Sequence, residues 1–81
     1  MNPTSTSGTP VAEIIDMIKR LGKLKSLDPS VDFYEAGFSS INALQLLTEL
    51  EDRFKVTLAD DDFIAARTAL ALRDLIDAQR R

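Results

Sequence analysis

The sequence contains no His and no Cys. Without His, Ser-His-Asp and Cys-His catalysis are excluded, and general acid–base work is left to carboxylates, Lys or Tyr34. Without Cys, thiolate zinc sites, disulfides and dithiol redox motifs are excluded. Any thioester chemistry would need a thiol delivered from outside the chain. No apolar run approaches the roughly 20 residues needed to span a bilayer. The start lacks the basic residues and apolar run of a secretory signal. A cytoplasmic protein without a membrane partner is therefore expected.

At 81 residues the chain has room for one domain. Residues 1–10 are Asn, Pro, Thr, Ser and Gly apart from Met1. They offer nothing to bury, so a disordered leader over 1–10 and a folded domain over 11–81 are expected. A body of that size has little room for a deep, pre-formed active site, and one core gives it only a few kcal/mol of net stability.

Charge is uneven. Residues 28–62 hold nine acids against Arg53 and Lys55, a net of −7, while 11–27 and 63–81 carry +2 each. An acidic middle disfavours nucleic acid and anionic membrane and favours partners with a basic face, although a set of solvated helix surfaces reads the same way. The group Lys19, Arg20, Lys23 and Lys25 reads as the solvated end of a helix. Asp60-Asp61-Asp62 lacks the alternating ligands and central glycine of a calcium loop, so acids at a helix start explain it better and no metal site is expected.

Val11, Ile14, Ile15, Ile18 and Leu21 recur at helical spacing, with Gly22 as the stop. Residues 23–39 form a long loop with space for one helical turn, a length more often functional than idle. A second helix begins near Ser39–Ser40 and runs to about Phe54, with Ala43, Leu46, Leu47, Leu50 and Phe54 as its core stripe. Val56–Leu58 is a connector whose apolar residues turn inward. Asp60–Asp62 open a short helix that turns Phe63 and Ile64 inward. Thr68 caps a last helix whose Leu72, Leu75 and Ile76 face the core. The expected fold is all-α, a small bundle of three main helices and one short helix with a long first loop.

Ile41 and Leu44 lie off the core stripe of the second helix, with Phe38 just before them. Either they pack beneath the long loop, or they form an exposed apolar docking cluster around Ser40. Ser39 or Ser40 is the expected helix cap. A hydrolase nucleophile is excluded, because Gly37-Phe38-Ser39-Ser40-Ile41 lacks the second glycine of a nucleophile elbow and no His exists to activate the serine. A phosphodiester on Ser40 would place negative charge at the positive end of the helix.

The stretch Asp32-Phe33-Tyr34-Glu35-Ala36-Gly37-Phe38-Ser39-Ser40-Ile41 resembles the signature of phosphopantetheine-dependent acyl and peptidyl carrier proteins. The similarity continues through Leu44, Leu47, Leu50, Glu51, Phe54, Val56, Leu58, Phe63, Thr68, Leu72, Leu75 and Ile76. It implies a four-helix carrier-protein bundle that is not an enzyme. It also implies a 4′-phosphopantetheine, taken from coenzyme A and placed on Ser40 by a phosphopantetheinyl transferase. Cargo would ride as a thioester on the arm. A loading ligase or acyltransferase and downstream condensing or modifying enzymes would be the other partners of a monomeric carrier. Ser39 stands where the family has Asp or His, and Asn42 and Gln45 are neutral where fatty-acid-synthase carriers are acidic. Docking through Phe38, Ser39, Ile41 and Leu44 more than through charge is thus implied, in a polyketide or nonribosomal-peptide type of pathway. The alternative is a small helical interaction domain without a prosthetic group.

Overall fold

The computed structural model describes residues 9–80, which contain helix α1 (Val11–Gly22), a 3₁₀ turn (Ser40–Asn42), α2 (Ala43–Phe54), the short α3 (Asp60–Ala65) and α4 (Ala69–Gln79). Every described element is helical, and the long first loop lies between α1 and the 3₁₀ turn.

The apolar stripes meet in one core. Ile14 and Ile18 of α1, Leu46 and Leu50 of α2, and Leu72 and Ile76 of α4 are fully buried. Phe33 and Leu58 from the connecting segments, and Phe63 of α3, fill the spaces between them. Helix α1 packs against both α2 and α4. Arg53 bonds Glu13 at 2.8 Å and Arg20 bonds Glu49 at 2.6 Å, so α1 and α2 run antiparallel. Met17 is also buried, because it shares a face with Ile14 and Ile18 one turn along. Ile64 is 61% exposed, contrary to the expectation that it turns inward. Six residues of helix present only one inward position, and Phe63 occupies it.

Both longer helix ends stop without glycine. Lys23 and Lys55 take the left-handed conformation, with φ of 56° and 57°. The following amides, Leu24 and Val56, donate to the carbonyls of Lys19 and Glu51 five residues back. Gly22, expected as the stop, is the last residue of α1 and serves packing instead. A Cβ there would lie 2.7 Å from Cδ1 of the buried Phe38 ring. Gly22→Ala should therefore destabilise the fold by about 1–3 kcal/mol through overpacking, against the gain of about 1 kcal/mol in helix propensity. A thermal melt decides between the two: a rise in Tm would mean that the ring moves aside freely.

The expected leader is corrected at its inner boundary; residues 1–8 lie outside the described residues. Thr9 is 3% exposed, its amide donates to Asp77 Oδ1 at 2.8 Å, and its hydroxyl donates to the same oxygen. A threonine can be buried where a carboxylate satisfies both its backbone amide and its hydroxyl. The Thr9 hydroxyl, followed by its amide, holds the Asp77 carboxyl below its usual range.

Candidate functional site

The long loop is folded tightly rather than loosely. Oδ1 of Asp32 accepts the Tyr34 and Glu35 amides at 2.9 and 3.3 Å, and the Asp32 carbonyl accepts from Ala36, closing one helical turn. Gly37 ends the turn at φ 117°, a conformation that a side chain would strain. The chain then reverses so that the Phe38 amide reaches the Phe33 carbonyl at 2.9 Å.

Phe38 is thereby carried into the core. Its ring meets Phe33 edge-on at 5.4 Å and Tyr34 at 5.9 Å, and it is 3% exposed. The expectation that Phe38 belongs to an exposed docking surface is corrected. The ring has a buried slot against Gly22 and two other aromatics, and stacking there removes more apolar area from water than a surface position could.

Directly after Phe38, Ser39 caps the 3₁₀ turn, its Oγ accepting the Ile41 amide at 3.1 Å. Ser40 is the first residue of that turn and is exposed, and its hydroxyl makes no hydrogen bond among the described residues. The two serines, indistinguishable as caps in the sequence, thus have different roles. Asn42 is not a docking residue left without charge. Its amide nitrogen donates to the Leu21 carbonyl at 3.0 Å, tying the head of α2 to the end of α1.

Ile41 and Leu44 are 84% and 73% exposed, so they do not pack beneath the loop. Leu44 and Ile64 flank an open groove of about 660 Å³, with Ser40 on its lining. Leu47, Phe63 and Phe38 supply apolar walls, and Tyr34, Asp60 and Arg67 supply polar ones. Sequence reasoning missed Tyr34, Asp60, Ile64 and Arg67 as neighbours of Ser40. They lie at separations that follow no local period and meet only because the first loop, α2, α3 and the α3–α4 connection line one groove.

Arg67 holds this side of the loop. Its Nε donates to Asp32 Oδ2 at 2.6 Å, its guanidinium carbon lies 4.7 Å from the centre of the Tyr34 ring, and its carbonyl accepts the Phe33 amide. The Arg67 hydrogen bond, followed by the Tyr34 and Glu35 amides, outweighs partial desolvation and lowers the Asp32 carboxyl below its ordinary value. Burial pushes the Tyr34 phenol up, with Arg67 opposing. A carboxyl lowered in the fold stabilises it above its unfolded pKa of about 3.9 and loses that contribution as pH falls through the lower folded value. The Tyr34 amide, which bonds the Asp32 carboxylate, should therefore shift with a midpoint below the ordinary Asp value of about 3.9. A midpoint for the Tyr34 amide at or above that value in a nitrogen–proton NMR titration would contradict this.

A family profile described as a phosphopantetheine attachment site matches residues 12–76. The hybrid PKS-NRPS synthetase pynA of Aspergillus niger is 41% identical over 59 residues, which is 73% of this chain and 2% of that protein. The solution structure of a non-covalent extended docking domain complex of the Pax NRPS (PaxA T1-CDD/PaxB NDD) superposes with a TM-score of 0.79 at 17% identity. That likeness covers 99% of this chain and 79% of the other and shows the shared fold. With the profile spanning nearly all of the helical body, the chain belongs to the phosphopantetheine-attachment family, whose members are carriers of 4′-phosphopantetheine and not catalysts.

Proposed function

We propose that Ser40 is the attachment point of the 4′-phosphopantetheine and that the domain presents cargo on that arm to partner enzymes. The observation that carries this reading is the Ser40 hydroxyl, which is exposed, relieved of capping by Ser39 and set on the lining of the groove. The surroundings fit the group. Anionic phosphate at Ser40 would sit at the positive end of the turn leading into α2, with the Arg67 cation on the same groove. When bound, the arm supplies the thiol that the chain lacks, and an acyl or aminoacyl group is held on it as a thioester.

Partners would be a phosphopantetheinyl transferase, a loading ligase or acyltransferase, and condensing or modifying enzymes. The similarity to the Aspergillus hybrid PKS-NRPS synthetase supports a polyketide or nonribosomal-peptide setting. Ser39, Ile41 and Leu44 stand exposed around the attachment point. Of the acids farther along α2, Asp52 is exposed, but Glu49 and Glu51 are less available for steering. Glu49 pairs with Arg20, and Glu51 accepts the Leu58 amide at 2.9 Å. Exposed ion pairs are weak and screened by salt, whereas truncating a central apolar anchor costs about 2 kcal/mol or more. Leu44→Ala should raise the KM of the loading enzyme about thirtyfold with the fold retained, and added salt should change it little. A steep salt dependence with Leu44→Ala unaffected would show that charge directs docking.

The reading is tested by incubating the chain with coenzyme A and a broad-specificity phosphopantetheinyl transferase and measuring intact mass. A gain of one phosphopantetheinyl group is expected, and the new thiol should then accept a thioester that hydroxylamine removes. No gain in mass would overturn it.

A further inference from the structure

Arg67 has more hydrogen-bonding capacity than the loop uses. Its contact with Asp32 is made through Nε, and among the described residues no hydrogen bond engages its two Nη groups. The side chain is half exposed, laid across the Tyr34 face, and lines the same groove as Ser40. Among the lining residues Arg67 is the one cation, and Asp60 is the one acid.

The arm brings a single anion to that groove, its phosphodiester; the amides and hydroxyl beyond it are neutral. A guanidinium matches phosphate oxygens with two parallel donors, and such charge-assisted bonds are about twice as strong as neutral ones. We propose that Arg67 is a positioning residue for the arm, bridging Asp32 through Nε and the phosphodiester on Ser40 through its Nη groups. This rests on Ser40 being the attachment point. The bridge would couple the folded turn at Asp32–Gly37 to the attached group. The arm would then leave Ser40 in a restricted direction along the groove, and the loop would be steadier with the arm than without it.

The test begins with intact mass, because a missing mass gain refutes attachment itself and leaves no arm to position. On modified protein, side-chain nitrogen NMR should show the Arg67 Nη signals shifted and sharpened relative to unmodified protein, with those of Arg73, which pairs with Asp74 on α4 and is not on the groove lining, unchanged. Phosphorus NMR of the modified chain should place the phosphodiester away from its position in an unfolded phosphopantetheinyl peptide. Arg67→Gln should return it towards that position. Because Arg67→Gln also removes the loop's ion pair, Asp32→Asn is measured beside it, since that change removes the pair and keeps the guanidinium. A phosphorus signal retained in Asp32→Asn and lost in Arg67→Gln supports the bridge. Equal changes in the two variants, or unchanged Arg67 signals on a chain of the modified mass, overturn it.

Discussion

Leu50→Ala should lower the melting temperature by about 10 °C or more, whereas Ser40→Ala should melt close to the wild type. Leu50 is fully buried in the stripe of α2, so truncation removes its transfer energy and leaves a cavity that the three long helices can only partly close. Such changes cost about 2–5 kcal/mol, most of the net stability of a domain this small. Ser40 offers the contrast. It is exposed, and the cap of its turn comes from Ser39, so removing the Ser40 hydroxyl breaks no hydrogen bond among the described residues. Ser39→Ala should fall between them, at the roughly 1 kcal/mol of a lost cap. Circular-dichroism melts of the three variants check the order. If Ser40→Ala melted as early as Leu50→Ala, the serine would be a structural residue and the division between core and site would be wrong.

The core was legible because it is periodic. Ile14, Ile18, Leu46, Leu50, Leu72 and Ile76 sit at spacings that only a helix places on one face, and all six are fully buried. The same periodicity leaves open whether Ile41 and Leu44 pack beneath the loop or stand exposed, because it says nothing of where the loop runs; both are exposed. Phe38 was misplaced for the converse reason. It lies in a loop with no period to read, and its burial depends on Gly37 reversing the chain and Gly22 leaving space for the ring. Ile64 failed because α3 is too short for a stripe to be counted. Thr9 failed because composition describes a polar segment as unburied, while Asp77 satisfies both its donors from the far end of the chain. The polar side of the groove was invisible for a similar reason. Asp32 and Arg67 stand 35 residues apart and become partners only when the α3–α4 connection meets the long loop. The proposal that Ser40 is the attachment residue rests on the pattern Asp32–Ile41, and the structure adds a physical distinction between the two serines that the pattern contains.

That distinction yields the second large effect, which is all-or-none. Ser40→Ala should accept no phosphopantetheinyl group, because the hydroxyl oxygen that forms the phosphodiester is gone. Ser39→Ala should still accept one, since Ser39 serves the turn as an acceptor from the Ile41 amide and leaves Ser40 as the exposed oxygen. A reduced rate in Ser39→Ala is consistent with a loosened turn. The direct measurement is the intact mass of wild type, Ser39→Ala and Ser40→Ala after transferase treatment, with fragmentation to locate the added group. The account predicts one group on Ser40 in the first two proteins and none in the third. A group on Ser39, or one retained in Ser40→Ala, would contradict it.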